Sequence, residues 1–252
     1  MLTTTEDQGA VRILRFNRPD ALNAFNPAMF DAVAEDLLAT ADNDAIKVLI
    51  ITGVGRAFSA GMDLADSGTK DNLPVHGFDG MFEAFIEFPK PILLAINGVG
   101  VGYGCTITGL ADLVFMAQSA RLRCPFTALG LTAEAASTVT FAAMMGPQAA
   151  NWVLLSSEWL DAQTCKDYGM VFEVVDDELL LQRTVERAQV LASKPLASLI
   201  TTKELLMAPR REALREASEI ESVALHSLMG GPANLEAIAA FGERREPDFS
   251  TF

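Results

Sequence analysis

Two glycine-rich loops, each following an apolar run of β type, constrain the fold of this chain more than any other feature. Phe58-Ser59-Ala60-Gly61-Met62-Asp63-Leu64 follows the run Val48 to Thr52, and Asn97-Gly98-Val99-Gly100-Val101-Gly102-Tyr103-Gly104 follows Ile92 to Ile96. Glycine-loosened backbone past two strand ends leaves N–H groups uncovered, so the pair of loops is able to offer two donors to one developing oxyanion. The second loop runs into Val101 to Leu110, an apolar segment that reads as a helix opening at the glycines, with the positive end of its dipole toward a bound anion. A tight turn after a strand is the alternative reading of either loop alone. A dinucleotide fingerprint does not fit the second loop, because Tyr103 and Cys105 stand where the third glycine of G-x-G-x-x-G should fall.

Around these loops the chain alternates between strand and helix patterns. Val11 to Phe16 reads as a first strand, and Asn26-Pro27 caps and opens a helix with Phe30, Val33, Leu37 and Leu38 on one face. Val48 to Thr52 is apolar throughout, as a strand covered on both faces would be. Asp66 to Gly80 is polar and glycine-containing and reads as a mobile segment, while Met81, Phe82, Phe85, Ile86 and Phe88 follow at helix-like spacing and suit a mixture of core and acyl pocket. Leu113 to Ala117 and Arg121 to Cys124 read as short strands. Repeated strand, loop and helix units imply an α/β core with right-handed crossovers. From about Trp159 the chain turns helical, with Glu178 to Ala192, Leu196 to Met207, Arg210 to Leu228 and Pro232 to Phe241 as expected helices, punctuated by Pro195, Pro209 and Pro232.

With 252 residues and 50% hydrophobic content, the chain is able to bury one large core, read as residues 1–195, with a helical region over 196–252 in the same structural unit. No run of eighteen uncharged apolar residues is present, the first residues lack a basic and an apolar leader region, and Ser250-Thr251-Phe252 is not a peroxisomal address, so a cytoplasmic protein that does not bind membranes is expected. A net charge of −14 argues against nucleic-acid partners. Cys105, Cys124 and Cys165 lack C-x-x-C spacing and His76 and His226 carry no motif, which argues against a metal site, a disulfide framework or a nucleophilic triad.

The two loops, together with Asn17-Arg18-Pro19-Asp20-Ala21-Leu22-Asn23-Ala24-Phe25 and Phe241-Gly242-Glu243-Arg244-Arg245-Glu246-Pro247-Asp248-Phe249, make the chain resemble the enoyl-CoA hydratase/isomerase, or crotonase, superfamily over nearly its whole length. That resemblance implies a crotonase-like stacked ββα superhelix with a C-terminal helical trimerisation region, and therefore a homotrimer or dimer of trimers. It implies an acyl-CoA substrate, with coenzyme A entering as part of the substrate and no separate cofactor. The backbone N–H groups of Met62 and Tyr103 match the family's thioester donors. Ala21 and Leu22 match backbone contacts to coenzyme A, Ala60 and Leu64 flank the first donor, and Gly102 precedes the second. Asp63 reads as an organiser of its loop through side-chain to backbone hydrogen bonds, and Asn97 of its strand end. Arg244 and Arg245 are the first candidates for the phosphates, ahead of Lys90, Lys203 and Arg18.

Hydratases of this family use two glutamates. The matching positions here hold Thr106 and Phe126, neither of which is an acid or base of the needed kind, and Phe126 is left as a substrate contact. A different acid, Glu134, lies in Leu129-Gly130-Leu131-Thr132-Ala133-Glu134-Ala135-Ala136-Ser137-Thr138, a run similar to that of peroxisomal-type Δ3,Δ2-enoyl-CoA isomerases, where the matching glutamate is the single proton shuttle. Its small, apolar neighbours suit a desolvated carboxylate with a raised pKa. The alternative is a Glu134 that complements a helix dipole behind a Thr132 cap. Outside isomerisation stand a hydratase using Glu134 alone, or with Asp161 or a loop acid, and a non-catalytic acyl-CoA binder.

Overall fold

The computed structural model describes residues 1–63 and 74–252. Leu64 and the polar segment from Asp66 to residue 73 lie outside the described residues. The strand-forming runs build two sheets. The larger is ordered β1-β2-β3-β5-β7-β10, formed by Thr3–Gln8, Val11–Phe16, Val48–Gly53, Ile92–Ile96, Leu113–Ala117 and Glu173–Val175. All its neighbours are parallel except β1 and β2, which form an antiparallel pair. Val11 to Phe16 is therefore the second strand. The first, TTTEDQ, escapes sequence reading because it is an exposed polar edge without alternation. The central strands β3 and β5 are buried along their lengths, as their unbroken aliphatic runs require.

The smaller sheet is ordered β4-β6-β8-β9, from Ala57–Ser59, Val99–Val101, Arg121–Arg123 and Leu160–Asp161. Each of its first three strands follows a strand of the larger sheet after a short turn, so the chain steps from sheet to sheet through β3-β4, β5-β6 and β7-β8. This corrects the placement of the glycine loops, which leave the ends of β4 and β6 in the second sheet. Val101 closes β6, and the expected helix over 101–110 reduces to a single turn, α3 (Tyr103–Thr106), continued by a 3₁₀ segment over Ile107–Leu110.

The helices α1 (Pro27–Ala41), α2 (Gly77–Glu87), α4 (Ser137–Ser156), α5 (Ala162–Asp167), α6 (Leu180–Ala192), α7 (Leu196–Leu228) and α8 (Pro232–Glu243) complete the fold. Asn26 caps α1 by accepting the Met29 N–H at 3.0 Å. α6 lies across β2, β3, β5 and β7. Met81, Phe82, Phe85, Ile86 and Phe88 are all buried in the core, each side chain contributing about 1.5–3 kcal/mol of transfer free energy. Pro209 does not end a helix as expected: α7 runs 33 residues through it. Pro209 and Leu205 both face solvent, so the carbonyl that loses its N–H partner is open to water. Among the described residues no helix is long and apolar enough to cross a membrane.

Candidate active site

Three loops converge around the short helix α3. Residues 18–25 are tied to the first glycine loop by Ala60 N–H to Leu22 carbonyl (2.9 Å), Phe25 N–H to Gly61 carbonyl (2.7 Å) and Asp63 N–H to Phe25 carbonyl (2.9 Å). This single parallel bridge between Phe25 and Met62 uses the backbone groups of Gly61 and Asp63. The N–H of Met62 consequently points away from Phe25 and has no backbone partner among the described residues. Tyr103 opens α3, so its N–H is one of the helix's first-turn donors, with no backbone partner among the described residues.

The glycines bring these two donors together. A Cβ on Gly61 would lie 2.5 Å from the Val101 carbonyl oxygen and 3.6 Å from the Gly102 Cα, so the two loops touch backbone to backbone. Gly61 (φ 83°) and Gly102 (φ 54°, ψ −120°) both hold conformations that L side chains resist. Met62 and Tyr103 follow these touching residues directly.

From the same turn of α3, Thr106 reaches the acid. Its Oγ1 donates to Glu134 Oε1 at 2.6 Å, while its N–H bonds the Gly102 carbonyl at 2.9 Å. One turn of helix thus links the second glycine loop to Glu134. The carboxyl is partly buried, and burial pushes its pKa up to about 8. The Thr106 hydrogen bond acts against that shift and the charge of Glu221 adds to it.

Glu134 does not serve α4 as a dipole partner, and Thr132 does not cap that helix. Ala135 (φ 58°) and Ala136 (φ 55°) turn the chain through two successive left-handed residues, each costing on the order of 1 kcal/mol or more. Glu221 of α7 takes the capping role, accepting from Ala136 N–H (2.7 Å), Thr138 N–H (2.9 Å) and Thr138 Oγ1 (2.5 Å). Sequence reading missed it because its partners lie 83 and 85 positions away. Its signal was its spacing: Lys203, Met207, Leu214, Ser218 and Glu221 share the buried stripe of α7, where a lone carboxylate demands partners.

The cation candidates are redistributed. Arg18 Nη2 pairs with Asp63 Oδ2 at 2.9 Å and its Nη1 bonds the Ala24 carbonyl, so the Asp63 side chain ties its loop to residues 18–25 through an ion pair. Lys90 is buried against the Thr40 and Asn43 carbonyls, and Lys203 against Asp112 and the Lys90 carbonyl. Burial lowers the pKa of both ammonium groups, and neither reaches out to a phosphate. Arg245 is held by Glu236 and Glu243, which leaves Arg244, exposed at the end of α8, as the remaining candidate there. Asn97 orders its strand end as expected, accepting the Gly53 N–H and donating to the Gly55 carbonyl. Asp161 is the cap of α5. Ala21, Leu22 and Ala60 lie together in the knitted loops, and Phe126 is buried in the core ahead of the Glu134 loop. His76 precedes α2, and His226 is exposed on α7. Among the described residues no three His, Cys, Asp or Glu side chains form a metal-binding group, and all three cysteines are buried.

The Tyr103 ring packs edge-on to Phe25, Phe30 and Phe78, and its hydroxyl is buried with no hydrogen-bond partner among the described residues. Tyr103→Phe is therefore expected to raise stability by about 1 kcal/mol and to leave turnover within about threefold. Thermal denaturation and a turnover assay check it, and a large loss of turnover in the folded variant would give the hydroxyl a part in the reaction.

Two sheets exchanging strands beneath paired glycine loops, with an acid held against the second loop, define an α/β protein of crotonase fold. A crystal structure of an enoyl-CoA hydratase/isomerase from Pseudoalteromonas atlantica T6c superimposes with a TM-score of 0.94 at 30% identity, covering 99% of this chain and 100% of that one. The enoyl-CoA hydratase/isomerase family model matches residues 6–251, and the chain belongs to that family. Two relatives from Escherichia coli K12 stand at nearly equal distance. The 1,2-epoxyphenylacetyl-CoA isomerase is 32% identical over 95% of each chain, and the 2,3-dehydroadipyl-CoA hydratase is 31% identical over 96% of each.

Proposed function

We propose that this chain is an acyl-CoA isomerase that moves a double bond from C3 to C2 with Glu134 as its single acid/base. Overall identity does not choose between isomerase and hydratase, since a relative named for each is equally similar. The observation that carries the reading is that, among the described residues, Thr106 of α3 donates to Glu134, while by the family resemblance Thr106 and Phe126 match the two hydratase glutamates.

In this reading the thioester oxygen of a 3-enoyl-CoA accepts the N–H groups of Met62 and Tyr103. The Glu134 carboxylate takes the C2 proton, the electron pair of the broken C–H bond delocalises into a dienolate, and the N–H pair stabilises the oxyanion. The same carboxylic acid returns the proton at C4, giving trans-2-enoyl-CoA and restoring the carboxylate. A carboxyl with a pKa near 8 is close to balanced between base and acid at neutral pH, as a group that performs both steps requires. Coenzyme A enters as part of the substrate, and Arg244 is the candidate contact for its phosphates. Exposed apolar side chains on α7 and α8, among them Leu206, Val223, Ile238 and Phe241, support self-association, for which the family resemblance implies a homotrimer or dimer of trimers.

Hydration of trans-2-enoyl-CoA is the second reading, favoured by the hydratase relative. It requires water activation at C3 and proton delivery at C2, and among the described residues Glu134 is the one acid bonded to α3. Purified protein is expected to isomerise 3-enoyl-CoA with a kcat/KM at least about tenfold above that for hydration at matched chain length. Faster hydration would overturn the isomerase reading, and tight acyl-CoA binding with no turnover of either substrate would mark a binding protein.

A further inference from the structure

We propose that Glu221 is a positioning residue for the reaction: by gripping the start of α4 from α7, it holds the left-handed pair Ala135-Ala136 and so aims the Glu134 carboxylate. This rests on the reading of Glu134 as the base. The geometry is a three-point hold on one residue. Thr106 of α3 fixes the carboxyl through Oε1. Ser137 N–H and Oγ, at 3.1 and 2.6 Å from the Glu134 carbonyl oxygen, fix its backbone from α4. The two alanines between that acid and α4 adopt a conformation that alanine does not choose unaided.

What stabilises this turn is the remote carboxylate. Both Glu221 oxygens are engaged, one by Ala136 N–H and the other by Thr138 N–H and Oγ1, and the side chain is buried. A carboxylate accepts without donating, so it suits converging donors, whereas an amide must turn an NH₂ group toward one of them. The link also has an electrostatic side. The Glu221 charge raises the Glu134 pKa, alongside burial and against the Thr106 hydrogen bond. Among the described residues, the other titratable groups that interact with Glu134 are Tyr103 and Cys105 of α3.

The test is steady-state isomerisation of a 3-enoyl-CoA across pH by Glu221→Gln, with Glu134→Gln alongside. Glu221→Gln is expected to lower kcat by about tenfold or more with KM within twofold, and to move the rise of kcat with pH to lower pH, because a neutral side chain no longer opposes ionisation of Glu134. Glu221→Asp keeps the charge but is too short to span both donors, so its kcat should fall with the rise left nearer its wild-type pH. Adding Ala136→Gly to Glu221→Gln should recover part of the lost kcat, since glycine takes the left-handed turn without support. Unchanged kcat and pH profile in folded Glu221→Gln would overturn the proposal, as would an unchanged kcat in Glu221→Asp if the glutamine variant does not fold. A merely structural contact would lower thermal stability without moving the profile. Near-normal turnover by Glu134→Gln would instead remove the base reading itself.

Discussion

Replacing Glu134 by glutamine is expected to lower isomerisation of a 3-enoyl-CoA by about a hundredfold or more while acyl-CoA binding stays near normal, since the amide keeps the shape and loses the base. In the unaltered protein, kcat should rise with pH through about 8, where Glu134 ionises. The same carboxyl ties stability to pH. Its folded pKa lies above the ordinary 4.5, so the folded state holds this proton more tightly than the unfolded chain. The contribution is fully present below about pH 4.5 and is lost as pH rises through 8. Glu134→Gln removes that dependence, and its melting temperature should exceed that of the unaltered protein at pH 9 while the two converge near pH 4. Near-normal turnover, or melting curves that stay parallel across pH, would return Glu134 to a structural role.

Gly61→Ala should have a comparable effect on turnover without touching any side chain. The residue sits at φ 83°, and the added methyl would lie 2.5 Å from the Val101 carbonyl oxygen, so the two glycine loops must separate. Separation displaces the Met62 N–H from the Tyr103 N–H, and losing one aligned donor costs about a hundredfold or more in kcat. Gly102→Ala differs in kind. Its methyl meets nothing nearer than the Gly61 Cα at 4.0 Å, so only torsional strain at φ 54° opposes it, and a smaller loss is expected. Kinetics with circular dichroism as a folding control measure both. Turnover within tenfold of normal in folded Gly61→Ala would mean that the touching loops do not form the donor pair.

Much of the candidate site is legible along the chain because it is local. The apolar runs of β3 and β5, the glycines before Met62 and Tyr103, the Asn26 cap, and the absence of acids at Thr106 and Phe126 all depend on residues close in sequence. Glu134 was legible for the same reason, standing in a motif of its own neighbours. The first strand was not, since a polar edge carries no periodic signal. Nor was the continuity of α7 through Pro209, which depends on the helix face that proline occupies.

Charges show the same division more sharply. Lys90, Lys203, Arg18 and Arg245 look alike as cations in a sequence, yet packing commits each to a partner, from Glu243 two residues from Arg245 to Asp112 at 91 residues from Lys203. The sequence alone determined the family, and it singled out the two glycine loops and Glu134 as candidates, because those are properties of consecutive residues. Tertiary structure decided which of the candidate cations are committed to partners, that Thr106 bonds Glu134, and that Glu221 bonds the start of α4 behind it. These are contacts between side chains brought together only when α3, α4 and α7 pack, and no local pattern encodes a partner 83 positions away.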